Sequence, residues 1–299
     1  MPRSSWWFTA LTTLAPLVAL PAQTPDTVTI RTTPVAGGVY LLQGQGGNIA
    51  ASTGADGVIL IDDDYAPLTD RILAAVDQLQ SGRLRFVINT HWHRDHTGGN
   101  ATLGGQGVLI VAHDNVRRRM SREQFIEAYD AKVPAAPSAG FPVITFTDTL
   151  TFYFNGDTIE VFHVTSAHTD GDAVIHFRHA NVIHMGDTFF NGQYPFIDYS
   201  SGGSLDGMIA AADRGLALSD DATRIIPGHG PLSTRADLRR YREMLATVRI
   251  RILSARHKGL TLEQVLNAHL LDEFNEPWGK GFLSPEQFLT VAWKSLPSR

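Results

Sequence analysis

The chain has 299 residues, 43% hydrophobic and 18% charged, enough for one large globular domain or one domain with a small appendage. A formal net charge of -5, with no run of Lys or Arg long enough to suggest a polyanion partner, leaves no electrostatic footprint for a nucleic acid. With no cysteine, a disulfide framework, a thiolate metal ligand and a Cys nucleophile are all excluded.

Residues 1–22 read as a secretory signal peptide: Arg3, an apolar stretch over residues 6–20, then Pro21 and small Ala22. The mature chain is then expected to start near Gln23, in an exported protein that is periplasmic or secreted. The alternative is an uncleaved anchor, since Leu20 stands where a small residue makes the better cleavage signal. No later segment offers about 20 consecutive apolar residues, so no integral membrane domain is expected once the signal is removed. Next come short β-branched or apolar runs at residues 27–31, 39–43, 48–53 and 58–61, divided by Gly-rich turns, which read as a meander of antiparallel strands. A helix is expected over residues 67–80, and a strand over residues 86–90.

That strand leads into His91-Trp92-His93-Arg94-Asp95-His96, followed by the turn Thr97-Gly98-Gly99-Asn100. Imidazole and carboxylate so concentrated are what zinc and related divalent ions bind. In an extended segment residues two apart face the same way, so His91 and His93 are expected to grip one ion. The following turn would aim Asp95 and His96 at a second. A strand before and a turn after the hexapeptide separate it from a merely His-rich surface loop.

A strand over residues 108–112 and a polar helical stretch over 117–131 follow, with Pro134, Pro137 and Pro142 marking an irregular connector at a candidate rim. Further strands are expected at residues 150–154, 158–164, 173–177, 181–185 and 223–226, with a helix over 205–218. Leu238, Tyr241, Leu245, Val248 and Ile252 then keep helical spacing. Thr261 to Gln264 has the capping-box form, and Ser284 with Pro285 and Gln287 adds Pro at the first helical position. The tail helices, residues 233–299, are expected to pack on a core domain spanning 23–232. Two β-rich halves flanked by helices give an α+β fold, a four-layer αβ/βα sandwich, whose strand ends are the natural place for a site. His168, Asp187 and His229 each lie in a turn just after an apolar strand. If those ends converge, they join the hexapeptide.

This ordered set, beginning with Asp62 after Val-Ile-Leu-Ile, resembles the metallo-β-lactamase superfamily over roughly residues 30–232. The resemblance implies one metal on His91, His93 and His168, a second on Asp95, His96 and His229, Asp187 bridging them, and Asp62 supporting the ligand loop from behind. Asp187 resembles the glyoxalase II, lactonase and general hydrolase branches; the strict β-lactamases typically carry Cys or Ser there. It implies a hydrolase with two Zn2+, iron or manganese being the alternatives, that uses a metal-bridging hydroxide to cleave an ester, thioester, lactone or β-lactam of a small-molecule substrate, with Asp95 as the catalytic carboxylate. No Gly-x-Ser-x-Gly element supports a serine route. Three alternatives stay open: an exported β-lactamase conferring antibiotic resistance, an iron-dependent sulfur oxidoreductase, and a non-catalytic metal-binding protein. Substrate identity and oligomeric state are not legible.

Other candidates have simpler explanations. His113 is expected to pack or cap a helix, His163 and His176 to sit in or on a sheet, and His184 to lie behind the ligands. Asp170 and Asp172 suit a turn, and Asp63 and Asp64 are expected to be solvated or turn carboxylates. Gly98, Gly99, Gly104 and Gly105 lack the partners of a phosphate loop and read as turn residues. Phe189, Phe190, Tyr194, Phe196 and Tyr199 form an aromatic group near the expected metals, with Tyr194 a candidate substrate wall.

Overall fold

A computed structural model describes residues 27–79 and 82–297; the expected signal peptide and the expected helix end at Gln80 lie outside the described residues. The described strands are β1 (Arg31–Ala36), β2 (Val39–Gln43), β3 (Ile49–Gly54), β4 (Gly57–Ile61), β5 (Leu84–Ile88), β6 (Leu109–His113), β7 (Gln124–Ile126), β8 (Ala131–Val133), β9 (Ile144–Phe146), β10 (Thr149–Phe154), β11 (Asp157–His163), β12 (Ala173–Phe177), β13 (Val182–His184), β14 (Arg224–Ile226) and β15 (Ser233–Thr234). They form a seven-stranded sheet, β1-β2-β3-β4-β5-β6-β9, a six-stranded sheet in order β10 to β15, and the separate hairpin β7-β8.

Alternation along the strands builds the layers, because successive side chains leave opposite faces. Ile59 and Ile61 of β4 meet Val161, Ile175 and Ile226 between the two sheets. Their neighbours Val58 and Leu60 pack outward on Ile72 and Val76 of the helix Thr69–Asp77. On the far side, Phe162, Val174, Ile183 and Ile225 meet Leu205 and Met208 of the helix Leu205–Leu218, and Leu238, Tyr241 and Leu245 of the helix Arg235–His257. The result is the αβ/βα sandwich. Each fully buried aliphatic side chain in it contributes roughly 1.5–3 kcal/mol.

The strands β1 to β4 form the antiparallel meander. Pairing turns parallel from β4 to β5, β5 to β6 and β6 to β9, and again between β13 and β14. Chain segments therefore leave β4, β5, β13 and β14 at their C-terminal ends, where open α/β sheets form crevices.

Several expectations need correction. The first strand is Arg31–Ala36, not residues 27–31. It contains Pro34, and β1 is the sheet's edge, where a missing N–H is tolerated. The polar stretch 117–131 is not one helix: Asp114–Met120 is helical, and the chain then forms β7, a 3-10 turn at Glu127–Tyr129 and β8. Strands β9 and β15 were not anticipated, being only three and two residues long. Through β15 the core sheet reaches past the expected boundary at 232. Two of the tail helices, Leu262–Leu266 and Pro285–Ser295, start at the anticipated capping boxes, Thr261 with Gln264 and Ser284 with Gln287, while Arg235–His257 starts at a box not anticipated, Thr234 with Asp237. Among the described residues no helix is long and apolar enough to cross a membrane.

Candidate metal centre

The hexapeptide leaves β5 still extended, since the Asn89 N–H donates to Val111 O at 2.9 Å. His93 keeps φ -65° and ψ 150°, and Arg94–Thr97 then forms one helical turn. Extension brings the His91 and His93 rings to 4.8 Å, and the turn redirects Asp95 and His96. His168 enters from the loop between β11 and β12, Asp187 follows β13, and His229 follows β14. Ring nitrogens of His91, His93 and His168 lie within 4.8 Å of one another; so do ligand atoms of His91, His96 and Asp187, and of Asp95, His96 and His229. Asp187 joins the groups, 3.1 Å from His96, 3.4 Å from His229 and 3.5 Å from His168.

What lies behind the rings fixes which nitrogen faces inward. His96 Nδ1 donates to Asp62 at 2.8 Å, His168 Nδ1 to Phe196 O at 2.8 Å, His93 Nε2 to Asp198 at 3.0 Å and His91 Nδ1 to the Thr90 hydroxyl at 3.1 Å. Such outer partners set tautomer and ring orientation for a metal. Asp62 also accepts the Thr90 N–H and O–H, both at 2.7 Å. Its φ of 65° is unusual for a non-glycine residue and is held by these bonds. Nothing in the sequence pattern singled out Asp198, because its link to His93 spans 105 residues.

Asp63 and Asp64 are not solvated; both are fully buried. Asp63 accepts the Gly99 N–H, and burial, with Asp62 and Asp64 alongside, pushes its pKa well above the usual carboxylate range. Asp64 accepts the N–H groups of Gln45 and Gly46 and so pins the loop before β3, while burial raises its pKa to about 6. That loop closes over the cluster. A Cβ on Gly47 would lie 2.1 Å from His96 Cε1, so only glycine fits. Gly47→Ala is expected to push His96 aside and lower metal content at the Asp95, His96 and His229 group, measured by metal analysis, beyond the ~1–3 kcal/mol lost to overpacking.

The cluster is electrostatically divided. Burial lowers the His91 pKa well below its usual value, and burial with the neighbouring His93 lowers His168 to about 4. At His96 and His229 burial acts the same way, but Asp187 and Asp95 override it, raising His96 well above the ordinary value and His229 to about 9. Reciprocally, burial would raise Asp95 and Asp187, yet His96 and His229 hold both below the carboxylate range.

Beside the cluster lies a cavity of about 460 Å³ lined by Asp95, Asp187 and His229 together with Tyr65, Trp92, Tyr129, Phe190, Phe196 and Phe282. Phe190 stacks on His229 at 5.2 Å. Phe190 and Phe196 are thus the members of the anticipated aromatic group that face the cavity. Tyr194 is corrected: it is fully buried, stacks on Phe288 at 4.4 Å, donates its hydroxyl to Asn275 and belongs to the core. Phe189 is likewise buried core, and Tyr199 donates to Glu127. Phe282 comes from the tail, which therefore contributes to the cavity as well as to packing.

The four other histidines considered above are structural. His113 accepts the Asn115 N–H as a helix cap and stacks on His163 at 3.9 Å; His176 lies 3.5 Å from Glu160; His184 accepts the Gly186 N–H and contacts Asn48 O. Asp170 pairs with Arg119, and Asp172 accepts the amides of His168 and Thr169, shaping the turn that carries His168.

The donor set fits metal ions. His91 Nε2 and His168 Nε2 approach His93 Nδ1 to 3.1 and 2.8 Å, close to the ~3.3 Å separating nitrogens bound tetrahedrally at 2.0–2.1 Å. Asp187 Oδ1 is buried without a hydrogen-bond donor, as a ligand oxygen would be. Sandwich and cluster together define a metal-dependent hydrolase. Residues 39–229 match the family model of the metallo-beta-lactamase superfamily, and the chain belongs to that superfamily. It is 23% identical over 264 residues to the 2,4-dinitroanisole O-demethylase subunit alpha of Nocardioides sp., covering 87% of this chain and 76% of that one. It is 27% identical over 169 residues to hydroxyacylglutathione hydrolase of Polaromonas sp., covering 54% of this chain and only 55% of the relative, about half its length. The metallo-beta-lactamase from Pontibacter korlensis superposes with TM-score 0.61 at 20% identity, over 73% of this chain and 99% of that one.

Proposed function

We propose that this protein is a dizinc hydrolase of an ester, thioester, lactone or β-lactam. The observation that carries it is the linked donor set: one group of three imidazoles, a second of Asp95, His96 and His229, and Asp187 between them. Two zinc ions bound there would supply an activated water at neutral pH and polarise a substrate carbonyl. The chain's own residues do the rest. Asp95, ionised and lining the cavity, is placed to accept a proton from the attacking water and return it to the leaving group. Phe190, Phe196 and Trp92 exclude water around the scissile bond. Asp187 in place of Cys or Ser favours the glyoxalase II-like and lactonase branches over a β-lactamase. The test is a panel of thioesters, lactones, esters and β-lactams with bound metal quantified in the same preparation. Turnover lost to a chelator and restored by Zn2+ is expected; iron with O₂ consumption on a sulfur substrate would overturn the reading.

A second reading rests on the relative whose match covers 87% of this chain, a 2,4-dinitroanisole O-demethylase subunit. An aryl methyl ether therefore belongs in the panel.

The divided electrostatics predict pH-dependent metal loading. A proton on an imidazole competes with the metal, so the raised groups, His229 at about 9 and His96, must each release one. His91 and His168, with lowered pKa values, are already neutral at pH 7. Affinity at the Asp95, His96 and His229 group should thus rise with pH up to about 9, and more steeply than at the other group, where His91 and His168 have no proton to release. Metal analysis after dialysis at pH 6 and pH 8.5 should find less metal per chain at pH 6, the loss falling on the Asp95, His96 and His229 group; equal content at both would refute this.

A further inference from the structure

The cavity beside the cluster does not stand alone. Tyr65, Trp92, Arg94 and Val133 line it and also line a second cavity of about 390 Å³, forming a shared wall. The lining of this second cavity contains three arginines, Arg94, Arg119 and Arg122, and no Asp or Glu, in a chain whose net charge is -5. Arg119 is neutralised, donating to both oxygens of Asp170 at 2.7 and 2.8 Å. The side chains of Arg94 and Arg122 have no hydrogen bond or ion pair among the described residues. In the shared wall, Trp92 is 3% exposed and its buried indole N–H has no acceptor.

The Arg94 and Arg122 side chains are exposed to solvent, and as donor-only cations without a carboxylate partner they give the cavity a positive wall that an anionic acceptor would complement. The guanidinium fork matches a carboxylate in particular. The rest of the lining includes Pro134, Ala135, Ala136, Pro137 and Met120, which suits an apolar tether better than a compact hydrated anion. We infer that the second cavity binds a carboxylate carried on the apolar acyl chain of the substrate, while the scissile bond lies at the His and Asp cluster. This rests on the hydrolase reading above. It specifies what that reading leaves open, an acyl group ending in an anion.

The test compares aryl esters of a linear dicarboxylic acid and of the alkanoic acid of equal chain length, with the zinc-loaded protein. The wild type is expected to favour the anionic hemi-ester roughly tenfold or more in kcat/KM, chiefly through KM. The Arg94→Ala/Arg122→Ala variant should bring that ratio close to one, and Arg94→Lys/Arg122→Lys should keep part of it, a charge without the fork. Equal rates on the two esters in the wild type, or a preference that survives in the Ala variant, would overturn the inference. If neither ester turns over, ester hydrolysis fails, and calorimetric binding of the free dicarboxylate against the monocarboxylate decides the cavity independently. Tighter dicarboxylate binding in the wild type, lost in the Ala variant, supports it; equal binding overturns it.

Discussion

Asp187→Ala is expected to strip at least one metal equivalent and to lower kcat/KM by about a thousandfold or more, beyond the 10–100-fold typical of losing an outer partner of a ligand. The reason is position. Its two oxygens lie 3.1 to 3.8 Å from His96, His229, His168 and His91, and a carboxylate there faces both groups at once. Without it, His96 and His229 lose the charge that holds their pKa values up, so proton release on metal binding should also shrink. Asp187→Asn is the matched variant, keeping volume while removing charge. Metal analysis and kinetics on both check the result; full metal content with activity within tenfold of wild type would remove Asp187 from the ligand set.

Asp62→Ala should weaken metal binding roughly 10–100-fold and destabilise the fold, although Asp62 is not in any group of candidate ligands. Its carboxylate is fully buried and serves the His96 ring, the Thr90 amide and the Thr90 hydroxyl. Removing it orphans all three, and stranding the partner of a buried ion pair costs about 3–5 kcal/mol. Asp62→Asn should recover part of the stability but less of the metal affinity, because the amide still accepts one bond but no longer carries the charge facing His96. Denaturant melts with and without metal separate the two effects. A variant that melts like wild type and binds metal as tightly would show that the Asp62 contact has no role in orienting His96.

The residues that hold the site were legible wherever chemistry is concentrated in a few adjacent positions. Three imidazoles and a carboxylate in one turn announce themselves, and strand periodicity locates the ends after which His168, Asp187 and His229 follow. Long, strongly patterned elements were legible for the same reason, as in the helix Leu205–Leu218 and the capped tail helices. Short strands such as β9 carry too few residues to show a period. Tyr194 was misplaced because an aromatic next to a ligand loop has no sequence mark telling cavity from core. Its partner Phe288 lies nearly a hundred residues along the chain.

The sequence by itself determined the donor types, their spacing in the ligand loop and the layered sandwich, since each follows from local chemistry or from a repeat of two or 3.6 residues. Tertiary structure alone decided which nitrogen of each histidine faces inward, that Asp198 orients His93, and that Asp63 and Asp64 are buried. It also decided that a second, arginine-lined cavity adjoins the cluster. Those are properties of groups far apart in the chain, brought together only when the ends of β4, β5, β13 and β14 gather at one edge of two packed sheets.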